Sequence, residues 1–211
     1  MADADFFFDT LCPWAWITSR WVQEVVAQRQ LDVDWRFIAL RFVNAEKVES
    51  GQLPERYAQG LDFGLGLLRI AAAAKDKEGS EAAGRFYTAA GTAIHVDGRR
   101  DQLVSDPATH LAEVLRAADL PTDLVDARQD DSYDAVIRSD TDLALERAGK
   151  DVGTPIITFA PPGGPSFFGP VIARIPRGQE ALELWDSVER LARFPGFFEL
   201  KSAVRSRPQT S

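Results

Sequence analysis

The order of strand and helix signals predicts an α/β fold that is interrupted by a long helical stretch. Residues 1–43 show a strand–helix–strand pattern, residues 44–149 carry apolar residues at helical spacing, and residues 150–211 show two strands and a helix. The chain has 211 residues and no internal repeat, which suits one domain with a large insertion. We therefore predict one domain formed by residues 1–43 and 150–211, with residues 44–149 inserted into it as a helical domain.

The amino-terminal segment supplies the first strand, helix and strand. Residues 5–9 form a short apolar run between two acids, which is typical of a buried strand. Pro13 suits the first position of a helix, because its missing N–H would have no partner there. Apolar residues then continue at helical spacing to about residue 27. Residues 31–40 alternate between apolar and polar, which indicates a second strand.

The middle of the chain is predicted to be helical throughout. Proline and glycine breakers divide it into several helices. Ser105 and Asp106 are suited to cap the helix that Pro107 begins. Five aspartates between residues 130 and 142 show no metal-ligand order and are typical of the solvated side of a helix.

The carboxyl-terminal segment is predicted to close the fold. Residues 154–159 and 166–168 flank a turn rich in proline and glycine, which is typical of an antiparallel hairpin. A last amphipathic helix follows and ends before Pro195 and Gly196. The tail from residue 202 to residue 211 is expected to be frayed.

Charge and cysteine content narrow the classes of function. The net charge is −8, whereas binding to nucleic-acid phosphates requires clustered lysine and arginine. No apolar run approaches the roughly 20 residues that span a bilayer, and the first residues lack the basic start of a secretory signal. One cysteine cannot form an intrachain disulfide. We expect a cytoplasmic monomer or homodimer without nucleic-acid or membrane partners.

Cys12 is the candidate reactive residue, because it lies between a buried strand and the first turn of a helix. Free N–H groups and the positive end of the helix dipole stabilise a thiolate at such a place. This setting can lower the pKa of a cysteine from about 8.5 to roughly 3.5–7.5, and the thiolate is the nucleophile. We therefore expect the pKa of Cys12 to lie below that of a free thiol. The alternative is a buried cysteine that acts as a small hydrophobe.

A second motif, Gly-Thr-Pro at residues 153–155, opens a later strand. Proline is unusual at that place because it cannot donate to the ladder, and Thr154 before it favours extended backbone. If the bond before Pro155 is cis, the backbone of Thr154 is free to pair with an extended substrate. An ordinary trans proline at a sheet edge is the alternative.

Together these motifs resemble a known fold and family. Cys-Pro-Trp-Ala at residues 12–15, with Gly-Thr-Pro opening the later strand, resembles the thioredoxin fold, and the helical block between its halves resembles the DsbA-like branch. More closely, the segment Phe-Asp-Thr-Leu-Cys-Pro-Trp-Ala-Trp-Ile-Thr-Ser-Arg-Trp at residues 8–21 resembles the actinobacterial mycothiol-dependent nitroreductase family. The same likeness is found in segments 151–155, 167–171, 175–178 and 197–201.

The resemblance implies a thiol–disulfide oxidoreductase with mycothiol, or a similar low-molecular-weight thiol, as reductant and with no metal, nucleotide or flavin. Cys12 is then the attacking thiolate, and Pro155 is a cis-proline that faces it. Pro13, Trp14 and Thr154 support the site.

Ala15 departs from the family pattern, in which this position can be a second cysteine. A dithiol site releases its own mixed disulfide by attack of the second sulfur, and this chain has no second sulfur. The chemistry must therefore be monothiol, with a second external thiol releasing Cys12. Candidate substrates are mixed disulfides and nitroaromatic compounds, and nitro reduction would require external thiols to supply both electrons.

Four further residues are candidates for binding the substrate or the thiol: Trp16, His95, Phe168 and Gly169. Trp16 could line a flat apolar pocket, although core packing is the stronger interpretation. His95 could face the cleft, although a surface or helix-end position is favoured. Phe168 and Gly169 could bring the backbone close to a bound thiol, or form a plain turn.

Two other functions remain open from the sequence. One is a thiol-dependent isomerase or transferase like the kappa-class glutathione transferases, which usually have serine at the position of Cys12. The other is a non-catalytic thiol-binding or redox-sensing protein that lacks a resolving cysteine.

Overall fold

The computed structural model describes residues 2–203 and 206–211, and it contains a mixed four-stranded sheet. The strand order is β2–β1–β3–β4, with β1 parallel to β2, β1 antiparallel to β3 and β3 antiparallel to β4. The α/β fold and the late hairpin are confirmed, although β2 and β3 are shorter than predicted. Their bounds are Ala4–Phe8 (β1), Val33–Phe37 (β2), Ile156–Phe159 (β3) and Ser166–Phe168 (β4).

The helical stretch between β2 and β3 begins at Leu40, four residues earlier than predicted. A π-helix, Thr92–Val96, continues α5, and two 3₁₀-helices, Thr122–Gln129 and Asp131–Tyr133, precede α8. The helices are Pro13–Arg29 (α1), Leu40–Val43 (α2), Ala45–Glu49 (α3), Glu55–Glu78 (α4), Ser80–Gly91 (α5), Arg100–Ser105 (α6), Pro107–Ala117 (α7), Asp134–Ala148 (α8) and Gly178–Ala192 (α9). Among the described residues, none of these helices combines the length and apolar character needed to cross a membrane.

Strand β1 is the centre of the core. Phe6, Phe7 and Phe8 are all buried, as expected for a strand covered on both faces. The ring of Phe8 stacks on Tyr87 of α5 at 4.0 Å between centroids, so the sheet and the helical stretch share one hydrophobic core. This rigid strand leads directly into the segment that carries Cys12.

Helix α1 follows the predicted pattern, with Pro13 in its first turn and its last residue at Arg29. Its buried Trp21 donates a hydrogen bond from Nε1 to Ala181 O of α9 at 2.8 Å. Helix α7 is capped as expected by Asp106, whose side chain accepts from the backbone of Thr109. Ser105 instead ends α6.

The prediction that the acidic stretch is solvated is wrong for Asp140. Its carboxylate is buried and accepts hydrogen bonds from Arg36 Nη1 at 2.8 Å and from Phe37 N at 3.2 Å. Asp140 therefore binds polar groups of the edge strand β2. Thr141 similarly accepts from Ala39 N. An edge strand leaves N–H groups without sheet partners, and α8 supplies the acceptors for them.

The prediction of a frayed tail is wrong at Gln209 and Thr210, which are held by hydrogen bonds. Residues 204 and 205 of the tail lie outside the described residues. Gln209 N donates to Ala173 O at 2.8 Å, and Thr210 bonds to Trp16 and His95. The partners of the tail lie far away in the sequence, on α1, on the π-helix and in the loop after β4, so local sequence does not show these contacts.

Candidate active site

Cys12 lies at the junction of β1 and α1, in the N-cap position, with φ −80° and ψ 113°. Its backbone N–H donates to Asp9 O at 3.2 Å, and its carbonyl accepts from Trp16 N at 3.0 Å. The thiol Sγ donates to Thr154 O at 3.5 Å. The two motifs, 142 residues apart in sequence, therefore meet at the sulfur.

The loop that carries Pro155 is held on two sides, and its Thr154–Pro155 peptide bond is cis. Thr154 Oγ1 donates to Phe7 O of β1 at 2.9 Å. Gly169 N donates to Pro155 O at 2.8 Å, and its φ of 99° lies in the region that favours glycine. Gly169 thus holds the Pro155 loop in place through this hydrogen bond. Phe168, at the end of β4, is 43% exposed.

The expectation of a low pKa for Cys12 is wrong in this conformation. Burial raises the pKa of Cys12 to about 11, because a thiolate there loses its hydration. The backbone N–H groups of Ala15 and Trp14 act in the opposite direction, and the charge of Asp9 adds to the rise. The helix-terminus donors are present as predicted, but with only 9% of the residue exposed they are outweighed by desolvation.

Asp9 is a residue of the site that sequence reasoning missed. Its buried carboxylate accepts from Leu11 N and from Leu40 N, both at 2.9 Å, and so joins the Cys12 segment to the start of α2. Burial raises the pKa of Asp9 to about 6, and the two N–H donors lower it only in part. An acid that ends an apolar strand three residues before a cysteine was the available signal, but it was interpreted only as a strand boundary.

Trp16 and His95 meet beside the site, while Trp14 is half-buried. The Trp16 ring is buried and stacks on the ring of His95 at 5.7 Å. His95, on the π-helix, donates from Nε2 to Thr10 O at 2.9 Å. Burial lowers the pKa of His95 and favours its neutral form. His95 thus holds the backbone two residues before Cys12.

Arg20 is a second missed residue near the site. Its guanidinium carbon lies 4.2 Å from the centre of the Trp16 ring, and its Nη1 donates to Thr88 Oγ1 at 3.0 Å. No carboxylate is paired with it among the described residues. Burial lowers the pKa of Arg20 to about 10, so the group remains cationic at neutral pH. It places a positive charge against the face of Trp16.

Cys12 is largely buried in this conformation, with 9% of the residue exposed. Two cavities of about 500 Å³ and 560 Å³ are present, and Cys12 lines neither of them. Among the described residues, no group of three or more histidine, cysteine, aspartate or glutamate side chains is arranged to hold a metal ion.

Comparison with known proteins decides the family. Residues 11–202 match the model of the Rv2466c-like family, described as mycothiol-dependent nitroreductase Rv2466c. This chain belongs to the Rv2466c-like family. It is also 32% identical over 203 residues to the uncharacterized protein Rv2286c of Mycobacterium tuberculosis (strain ATCC 25618 / H37Rv), covering 95% of this chain and 82% of that protein.

Solved structures show how far the fold of this Rv2466c-like chain is shared. The probable DsbA oxidoreductase SCO1869 from Streptomyces coelicolor superposes with a TM-score of 0.56 at 18% identity, covering 96% of this chain and 95% of that one. A 2-hydroxychromene-2-carboxylate isomerase superposes with a TM-score of 0.55 at 17% identity, covering 90% and 96%. The predicted thioredoxin-like fold of the DsbA-like kind, with its large helical insertion, is confirmed.

Proposed function

We propose that this protein is an oxidoreductase that acts through the single sulfur of Cys12, with mycothiol or a similar low-molecular-weight thiol as reductant. The observation that carries the proposal is the position of Cys12 Sγ at the start of α1, 3.5 Å from Thr154 O and next to Pro155. Membership of the Rv2466c-like family supports an oxidoreductase, and the family description supports mycothiol.

The reaction is a two-step thiol–disulfide exchange. The Cys12 thiolate attacks the mycothiol sulfur of a mixed disulfide between substrate and mycothiol; the substrate leaves as a thiolate and takes up a proton. A second mycothiol thiolate then attacks the mycothiol sulfur bound to Cys12, forms mycothiol disulfide and releases the Cys12 thiolate. In sum, one mixed disulfide and one thiol give one substrate thiol and one symmetric disulfide.

Nitroaromatic reduction would follow the same electron count. Two mycothiols are oxidised to their disulfide, and the two electrons and two protons convert a nitro group to a nitroso group and water. Ala15 provides no sulfur, so both electron equivalents come from external thiols. The mixed disulfide is therefore the favoured substrate.

The residues around the sulfur have distinct proposed roles. The N–H groups of Trp14 and Ala15 stabilise the thiolate, since both lower the pKa of Cys12. Pro13 occupies the first turn of α1, where a missing donor costs nothing. The Thr154 carbonyl accepts a hydrogen bond from the Cys12 thiol in the resting state, and the Thr154 backbone is proposed to pair with the substrate.

The raised pKa sets a condition on this mechanism. With its pKa raised to about 11, Cys12 is almost entirely protonated at pH 7. Because loss of hydration is the largest cause of the raised pKa of Cys12, admitting water to the sulfur lowers this pKa again. Opening of the site is therefore part of the proposed catalytic cycle.

The experiment that tests the proposal is turnover of a mycothiol mixed disulfide with mycothiol as reductant. We expect formation of mycothiol disulfide that depends on Cys12, together with a mass adduct of one mycothiol on Cys12 when the second thiol is withheld. Turnover that persists in Cys12→Ser would refute the proposal.

A thiol-dependent isomerase or transferase is the second candidate. It is favoured by the protonated state of Cys12 at neutral pH, because a thiol can donate a hydrogen bond to the thiolate of a bound cofactor. The fold shared with 2-hydroxychromene-2-carboxylate isomerase is compatible with it. Binding of a thiol cofactor without any covalent adduct on Cys12 would distinguish this function from the first.

A further inference from the structure

The segment formed by residues 206–211 crosses the first turns of α1 beside the site, and we call it the C-terminal strap. Trp16 Nε1 donates to Thr210 O at 3.0 Å, and Thr210 Oγ1 donates to His95 O at 2.6 Å. Gln209 N donates to Ala173 O at 2.8 Å. One short stretch thus joins α1, the π-helix and the loop after β4.

We propose that the C-terminal strap positions Trp16 and His95 and limits the size of the molecules that reach Cys12. The inference rests on the proposed function, because it assigns the strap to the site at which Cys12 reacts. It makes Thr210 a positioning residue.

Two of the three anchors of the strap, Trp16 and His95, are each one hydrogen bond from the segment that carries the nucleophile. Trp16 lies one turn after Cys12, and its N–H bonds to the Cys12 carbonyl at 3.0 Å. His95 bonds to Thr10 O at 2.9 Å and stacks on Trp16. A change in the position of Thr210 therefore affects residues that hydrogen-bond to the backbone of Thr10 and of Cys12.

The strap satisfies polar groups that their own elements leave open. The indole N–H of the buried Trp16 requires an acceptor, because unpaired buried donors are strongly unfavourable. His95 O belongs to the last turn of the π-helix, where carbonyls lack partners within the helix. Thr210 supplies the acceptor and the donor from a single residue.

The strap is held by hydrogen bonds more than by apolar packing, which allows it to open. Ser206 and Gln209 are exposed and line the cavity of about 560 Å³ between the strap and α9. Segments with little buried apolar surface are drawn from the least stable part of a protein. Opening at this place would release Trp16 and His95, which hydrogen-bond to the segment that carries Cys12.

The test compares two maleimides of different size on Cys12, the single cysteine of the chain. Second-order labelling rates with N-ethylmaleimide and fluorescein maleimide are measured for the full chain and for a chain that ends at residue 205. Removing hydrogen bonds that hold a closed state is expected to raise the rate of the large reagent about tenfold and that of the small one about twofold. A ratio of large to small rates that does not rise overturns the proposal.

Point variants keep the test decisive if the shortened chain does not fold. Gln209→Pro removes the N–H that bonds to Ala173, whereas Gln209→Ala keeps it. Thr210→Val removes the hydroxyl that bonds to His95, whereas Thr210→Ser keeps it. We expect the first member of each pair to raise the ratio about threefold and the second to leave it unchanged, as expected for loss of about one hydrogen bond. Equal ratios within both pairs overturn the proposal.

The readout separates failure of the strap from failure of the proposed function. Maleimide labelling reports access to Cys12 and does not depend on turnover. An unchanged labelling ratio, with turnover that requires Cys12, rejects the strap alone. Turnover that survives Cys12→Ser rejects the site on which the strap proposal rests, and with it the role assigned to Thr210.

Discussion

Two buried carboxylates, Asp9 and Asp140, show how the same residue type is used differently in two regions of the molecule. Asp140 faces the β2 edge, where it is paired with Arg36 Nη1 at 2.8 Å. Asp9 faces the Cys12 segment, where among the described residues it has backbone N–H partners and no cation. Burial raises the pKa of both, but Arg36 opposes the rise at Asp140.

The comparison shows that a paired cation distinguishes a buried carboxylate that stabilises the fold from one whose charge changes near neutral pH. A buried carboxylate with a cation remains charged and fastens two elements together. A buried carboxylate without a paired cation titrates closer to neutral pH, and its charge shifts the pKa of neighbouring groups. In this chain, that second kind of carboxylate lies three residues from the reactive sulfur.

The largest effect that we expect comes from the sulfur itself. Cys12→Ser should reduce turnover of a mycothiol mixed disulfide by at least about a thousandfold, because the nucleophile of both steps is lost. Steady-state formation of mycothiol disulfide measures it. Asp140→Asn is the comparison in the other region, and its turnover should stay within about twofold of the parent under conditions where it is folded. Equal losses in both variants would contradict the separation of the two regions.

Asp9 should make the protein less stable as the pH rises. The pKa is about 3.9 in an unfolded chain and about 6 here, so the folded state binds the proton more tightly. The favourable contribution of Asp9 to the free energy of unfolding is complete below about pH 4 and is lost as the pH rises through about 6. The loss amounts to about 3 kcal/mol at most. Urea unfolding from about pH 4 to about pH 7 should show this fall in the parent and not in Asp9→Asn.

The matched control for this pH dependence of stability is Asp142→Asn, which removes an exposed carboxylate of α8. It should retain the pH dependence of the parent. The prediction is wrong if Asp9→Asn and the parent lose the same free energy of unfolding over this range.

Asp140→Asn should lower the free energy of unfolding by about 2 kcal/mol, because it breaks a buried ion pair. The loss is limited since Arg36 keeps Asp34 at 3.0 Å and Asp5 at 3.3 Å. Urea unfolding at neutral pH measures it, and the exposed Asp142→Asn should change little. The contrast between the two regions would be wrong if Asp140→Asn changed the maleimide labelling rate of Cys12 as much as Asp9→Asn does.

The smallest effect concerns the acidity of the thiol. Asp9→Asn should lower the pKa of Cys12 slightly, because the Asp9 charge raises it but is a smaller cause than burial. The pH dependence of N-ethylmaleimide labelling measures this pKa. Asp140→Asn should leave it unchanged, and a pKa that rises in Asp9→Asn would show that the carboxylate stabilises the thiolate instead.

Much of the fold was predictable because it depends on local patterns. The parallel β1 and β2, helix α1 with Pro13 in its first turn, and the β3–β4 hairpin follow from apolar periodicity and turn residues. The position of Cys12 at the N-terminus of α1 followed from the same local signals. Its proximity to Thr154 came from family resemblance, since spacing alone does not bring segments 142 residues apart together.

What local patterns missed were contacts with distant partners. Asp140 was assigned to a solvated face, because its sequence neighbours do not show that Arg36 and Phe37 lie opposite it. The described end of the tail was expected to be frayed, because the open groups on Trp16 and His95 belong to other elements.

The sequence by itself determined which atom can react and where it lies relative to a helix, because proline, apolar periodicity and the single cysteine act over a few residues. The tertiary structure alone decided how acidic that atom is. Hydration is removed by all neighbours at once, so strand, helix and loop together raise the pKa of Cys12 against the effect of the helix terminus.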